Sequence, residues 1–274
     1  QALLVAAGVI GGLVLMVPCV WGARRLYKHY HEAVRARAEQ RVAHQLRVDG
    51  ALTTISTLKY NVCFVKLSSF KEYGELLSHE VVRDRGHLVQ LDTYEQITDF
   101  VSRNSTCFIS HQWLGATEPD KNKEQYPCMV AAAQKICENF DLAEDELFLW
   151  VDYCSIPQRN VHLKQLSISS LPAYASAVRF FVICAPPATH VDRNERCDAG
   201  TYQERGWCRL EKWARMTVGG LKHMYIYEGA DLVPLVDQPH WYSTSIEVFD
   251  GQFTDPDDKL RLVDAVLGLY GLAL

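Results

Sequence analysis

Five short apolar runs, separated by stretches with helical patterning, constrain what this chain can fold into more than any other feature. They are HLVQL at 87–91, CFIS at 107–110, LFLWVDY at 147–153, RFFVICA at 179–185 and HMYIY at 223–227. Runs this short and this continuously apolar read as strands covered on both faces. The segments between them carry helix signals. Thr93–Val101 follows Asp92 as a candidate cap, and Glu124–Phe140 has Pro127 near its start and an apolar stripe. Leu163–Val178 is interrupted by Pro172, Trp207–Thr217 is short and strongly helical, and Pro256–Leu269 follows a capping Asp255.

Strands that alternate with helices predict a parallel sheet with helices on both faces. The expected fold is α/β, a flavodoxin-like doubly wound parallel sheet of about five strands. Residues 60–85 mix an alternating segment, YNVCFVKLS, with a polar helical one, and the stretch from Pro186 to Gly206 is a long polar loop. Loops that long in a compact domain usually carry function or lack order. The chain has 274 residues and a net charge of −5, which excludes a strongly basic nucleic-acid binder. Its nine cysteines are odd in number and form no C-x-x-C pair, and several sit inside apolar runs, a pattern of buried reduced thiols. His190, Cys197 and Cys208 match no usual zinc spacing, so no metal site is expected.

Residues 1–23 contain no charged side chain, and Arg24 and Arg25 follow at once. About 20 apolar residues suffice to cross a bilayer core as a helix. A secretory signal peptide would carry its basic flank on the other side of a shorter apolar core. The reading is a single-pass transmembrane helix over 1–23, with a buried core helix as the alternative. Gly8, Gly11 and Gly12 permit close helix contact in lipid, so other membrane-protein subunits are the expected partners. The basic residues from Arg24 to Arg47 place the soluble part on the cytosolic, matrix or stromal side. Residues 24–49 read as a basic juxtamembrane helix, whose face suits anionic lipid headgroups and bulk solvent equally. A connecting segment over 50–86 and an α/β domain with a C-terminal extension over 87–274 complete the expected organisation.

Ligands of open α/β sheets bind beyond the carboxyl ends of the strands. In this chain CFIS runs into Ser110, His111, Gln112 and Trp113, and LFLWVDY runs into Asp152, Tyr153 and Gln158. RFFVICA runs into Pro186, Pro187, Thr189 and His190, and the helix that carries Trp207, Cys208, Arg209 and Glu211 starts just beyond that third loop. Each residue taken alone has a packing or capping reading. Together they mark one polar rim as a candidate site.

The segments F-I-S-H-Q-W-L at 108–114, W-V-D-Y-C-S-I-P-Q at 150–158, S-L-P-A-Y-A-S-A at 170–177 and R-G-W-C-R-L-E-K-W at 205–213 resemble the successive boxes of a TIR-like domain. They look like the divergent branch with S-H-x-W and D-Y-x-x-x-P-Q signatures that is expanded in microalgae and other protists. The resemblance covers about residues 87–230 and implies a flavodoxin-like fold. It also implies two functions. Many TIR domains are assembly modules, which here suggests a membrane-anchored interaction module, an accessory or scaffold subunit without a cofactor. Others cleave NAD at the nicotinamide–ribose bond with a glutamate in a W-C-x-x-E helix. That pattern puts Glu211 in the catalytic role, with Ser110, His111 and Trp113 lining the nucleotide pocket and Asp152, Tyr153, Gln158 and Trp207 as further binding residues. Its carboxylate would stabilise an oxocarbenium-like transition state. The chain departs from usual TIR sequences at His111, Gln112 and Trp113, where F-x-S-Y or F-x-S-F is typical. An enzyme predicts Glu211 in an open cleft. A module predicts a filled cleft, with Glu211 paired to Arg205 or Arg209.

Overall fold

The protein is described by a computed structural model over residues 25–47, 49–50, 53, 57–243 and 245–273. The chain divides into two units, Gln1–Asp49 and Gly50–Leu274. In the first, residues 25–47 form an exposed helix, α1, as their Ala, Arg, Glu and Gln content predicts. The expected span over 1–23 lies outside the described residues. Among those described, no helix is long and apolar enough to cross a membrane.

The second unit begins with β1 (Val62–Lys66), α2 (Leu67–Glu72), α3 (His79–Asp84), β2 (Leu88–Leu91), α4 (Tyr94–Arg103) and β3 (Ser105–Ser110). It continues with α5 (Tyr126–Phe140), β4 (Leu147–Trp150), α6 (Asp152–Ser155), α7 (Val161–Ser169), α8 (Leu171–Ala177) and β5 (Phe180–Cys184). A small hairpin of β6 (Ala188–His190) and β7 (Glu195–Cys197) leads to α9 (Ala199–Glu204) and α10 (Gly206–Gly219). β8 (Met224–Tyr227), β9 (Leu232–Pro234), α11 (Pro239–Tyr242), α12 (Asp258–Arg261) and α13 (Val263–Ala273) complete it.

The sheet is α/β in class but mixed, with seven strands in the order β2-β1-β4-β3-β5-β8-β9. Only β4, β3, β5 and β8 run parallel. β1 is antiparallel to both β2 and β4, and β9 is antiparallel to β8. The expectation of about five parallel strands is therefore corrected. The 87–91 run became β2, an outer strand hydrogen-bonded to β1, because YNVCFVKLS supplies a strand, apolar and buried from Val62 to Val65, that takes the place beside β4. The parallel set reads 2-1-3-4 in chain order, so the order reverses at β3.

Side chains alternate across β3 and β5, and this divides the core in two. Phe108, Phe181 and Ile183 pack with Leu171 and Tyr174 of α8 and with Leu210 and Trp213 of α10. Cys107, Ile109, Phe180 and Val182 pack on the opposite face with Met129, Ala133 and Ile136 of α5. All residues of β3, β4 and β5 are buried, which explains why their sequences lack polar alternation. The eight cysteines in the described residues are free, and all but Cys128 are buried. Burial pushes the Cys63 thiol up to about 12.

Two helix starts differ from expectation. Thr93, not Asp92, caps α4, because its hydroxyl accepts the N–H of Gln96 while the Gln96 side chain returns to the cap backbone. Pro172 does not merely interrupt a helix: it sits in the first turn of α8, where its missing N–H costs nothing. The long Pro186–Gly206 loop proves to be structured, holding the β6–β7 hairpin and α9.

Candidate functional site

Alternation decides which way the end of β3 points. Ser110 faces the α10 side, as Phe108 does, and its hydroxyl donates to Oε2 of Glu211. The Tyr202 hydroxyl of α9 lies 2.6 Å from Ser110 Oγ. Since the single Ser110 proton is spent on Glu211, Tyr202 donates to Ser110. Tyr202 is fully buried and Glu211 only 9% exposed. Burial pushes the Glu211 pKa up to about 8, and the nearby Asp152 charge adds to the rise against the pull of Ser110 and His111. The carboxyl is therefore mostly protonated at neutral pH.

His111, one residue on, turns toward α5. Its Nδ1 lies 2.8 Å from Oε1 of Gln125 and its Nε2 2.9 Å from Oδ1 of Asp152. The Gln125 amide is oriented by its Nε2, which donates to the Gln112 carbonyl at 3.0 Å. Both imidazole nitrogens thus face acceptors, an arrangement that suits the imidazolium form. Burial alone would lower the His111 pKa, but Asp152, Gln125 and the more distant Glu211 outweigh it and bring it to about 9. Asp152 bears the opposite consequence: burial works to raise its pKa, and His111 with the Trp113 and Tyr153 N–H donors holds it below the usual carboxylate range. Trp113 Nε1 donates to Asp152 Oδ2 at 2.5 Å and the Tyr153 N–H donates to Oδ1 at 2.6 Å. The Trp113 ring meets Tyr153 edge-on and receives the Lys164 ammonium on its face.

The residues after His111 are tied down at both ends. Gln112 donates to Thr201 Oγ1 at 2.9 Å and to the Asp198 carbonyl, joining this loop to the start of α9. Asp120 accepts the backbone N–H groups of Glu124, Gln125 and Tyr126, so it holds the start of α5 and with it the Gln125 side chain.

Ser110, His111, Trp113, Asp152, Tyr153 and Glu211 therefore converge, as the rim reading expects. Two expected members do not. Trp207 turns away, donating to Asp258 Oδ2 at 2.9 Å and packing edge-on against Phe253. Gln158 stays within its own loop, donating to the Ile156 carbonyl and accepting from Lys164. Neither arginine pairs with Glu211: Arg205 donates to Thr254, and Arg209 to the Gln203 and Glu247 carbonyls. Nor is Glu211 openly exposed; the carboxyl spends itself on Ser110.

Gln125, Asp120 and Tyr202 are the members that sequence reasoning misses. Tyr202 had a signal, because Asp198 and Thr201 form a capping box that fixes the start of α9 and hence the direction of the next side chain. Gln125 and Asp120 had none. Among the described residues no three or more His, Cys, Asp or Glu side chains gather in a way that could hold a metal ion. Compared with known protein families, curated proteins and solved structures, the chain matches none.

Proposed function

We propose that the α/β unit is a TIR-like interaction module of flavodoxin-like fold, an accessory or scaffold subunit held at a membrane surface by the charge-free segment at 1–23. The observation that carries this reading is the closure of the polar rim upon itself. Ser110, Tyr202 and Glu211 satisfy one another, and so do His111, Gln125, Asp152 and Trp113. Such a network fixes the loops after β3 and β4 in one arrangement, as a docking surface requires. The 2-1-3-4 order of the parallel strands supports the flavodoxin-like reading. Extraction of the full chain from membranes in mild detergent tests the proposal. A larger assembly, dissolved by removal of residues 1–23, is expected; a lone monomer overturns it.

A second reading, NAD glycohydrolysis at the membrane surface, is favoured by one placement. Ser110 is the last residue of β3 and meets Glu211 at the carboxyl end of that strand, at the reversal of strand order where α/β sheets bind ligands. Nicotinamide release from NAD or NADP by the clustered full chain, abolished in Glu211→Gln, would establish this reading. The interaction reading expects no release from either form, and Glu211→Gln to fold and assemble as the parent does.

A further inference from the structure

Every side chain of α1 is exposed, the large apolar ones included, with Leu26 at 72% and Tyr30 at 66%. Single apolar residues on a surface are ordinary. These are not scattered. Leu26, Tyr27, Tyr30 and Val34 follow the spacing i, i+1, i+4 and i+8, which gathers them on one face of the helix. The same face continues with Arg37 and Arg41, one and two turns beyond Val34. Val42 and Leu46 have left it, turned from Val34 by about 80° and about 120° around the axis.

The charges of α1 are sorted by face as well. Its two glutamates, Glu32 and Glu39, stand on the opposite side with Lys28 and Arg35, where Lys28 lies 3.8 Å from Glu32. That side carries both signs and suits solvent. The first side carries no acid. It is apolar where it adjoins the charge-free segment at 1–23 and cationic farther along.

This gradient decides what covers the face. A second copy in parallel would set Arg37 and Arg41 against their own like, and an antiparallel copy would lay arginines on the apolar half. An anionic bilayer accepts both halves. Tyrosines and aliphatic side chains settle at the boundary of headgroups and acyl chains, and arginines reach lipid phosphates. We propose that α1 lies in the surface of an anionic bilayer, with Leu26, Tyr27, Tyr30 and Val34 sunk into that boundary and Arg37 and Arg41 on the phosphates. The proposal rests on the membrane attachment argued above, because four apolar side chains hold a bilayer weakly and the segment at 1–23 keeps them beside it. Standing upright, α1 would carry its far end about 35 Å from the bilayer; lying flat, it keeps that end at the headgroups.

Hydrogen–deuterium exchange of the full chain in vesicles tests this. The amides of residues 26–41 should exchange about tenfold more slowly in phosphatidylcholine mixed with phosphatidylserine than in phosphatidylcholine alone. Arg37→Glu combined with Arg41→Glu should abolish the difference. Lys28→Glu combined with Arg35→Glu, the same change of charge on the opposite face, should retain it. Circular dichroism matching the parent's will verify the helix in both variants. Equal exchange in the two kinds of vesicle overturns the proposal, and so does equal loss in the two variants. Slowing that follows protein density instead of lipid charge gives the face to a second copy and overturns it too. Carbonate extraction reports separately on the segment at 1–23. Release of the chain refutes the attachment, whereas a retained chain without lipid-dependent slowing refutes only the placement of α1.

Discussion

His111 sits at the end of a strand with its side chain almost wholly buried, yet its surroundings favour the charged ring. The imidazolium exists there because Asp152 is beside it, and the ring is shielded from the solvent that would otherwise weaken the attraction, although the Asp152 side chain keeps 24% of its surface. The sign of the resulting pH dependence follows from the raised pKa. The pair contributes its full stability below the ordinary His value of about 6.5, and that contribution is lost as pH climbs through about 9. Glu211 works in the same direction, since burial penalises its ionisation from the ordinary value of 4.5 up to about 8. Melting temperature should therefore fall as pH rises from 6.5 to 9. Asp152→Asn should destabilise by about 3–5 kcal/mol at pH 6, because it leaves a buried imidazole without its anion. The deficit should shrink as pH approaches 9, which chemical denaturation at both ends of that range will measure. At this scale the sequence was partly legible. Ser110 and Asp152 end apolar runs, which marks them as strand-end residues, and Glu211 enters through the resemblance to the TIR-like boxes, whereas Gln125 enters the site from the start of a helix and carries no local sign of what it will touch.

Elements were more legible than residues where burial alone decides them. β3, β4 and β5 are covered on both faces, so their apolar content is continuous and unmistakable. Strand direction is another matter. Apolar content says that a segment lies in a sheet and nothing of which neighbour it meets, so β1 and β2 could not be placed, and the short strands β6, β7 and β9 bury too little to leave a pattern. The start of α5 shows how an element reaches into the site. Its first N–H groups have no carbonyl in their own helix, and Asp120 supplies one oxygen to that of Tyr126 and the other to those of Glu124 and Gln125 just before the helix. Asp120→Ala should cost about 1–3 kcal/mol in denaturant unfolding. Because α5 carries Gln125, the same variant should also move the His111 imidazole resonances in nuclear magnetic resonance.

The C-terminal region closes the unit by a contact between two glycines. Gly251 packs so closely on the first residue of α10 that a methyl group on it would lie 2.5 Å from the Gly206 Cα and 2.6 Å from its nitrogen. The Gly251 backbone is extended, with φ −72°, so an alanine there is acceptable in conformation and unacceptable only in space. Gly251→Ala should lose about 1–3 kcal/mol, since backbone must move to admit it. Limited proteolysis should then cut first between β9 and α12, where the parent resists. The strand order carries a further consequence, for the growing chain. β1 and β2 can pair as soon as both are made, but β3 emerges with neither neighbour, because β4 and β5 both follow it. Chains emerge at about 5–20 residues per second, so β3 waits for seconds as an apolar ribbon with unpaired edges. β4 ends the wait by binding β1 on one side and β3 on the other. Until Leu147–Trp150 is made, the nascent protein is an antiparallel strand pair and a stranded centre, and this one short strand welds them into a single sheet.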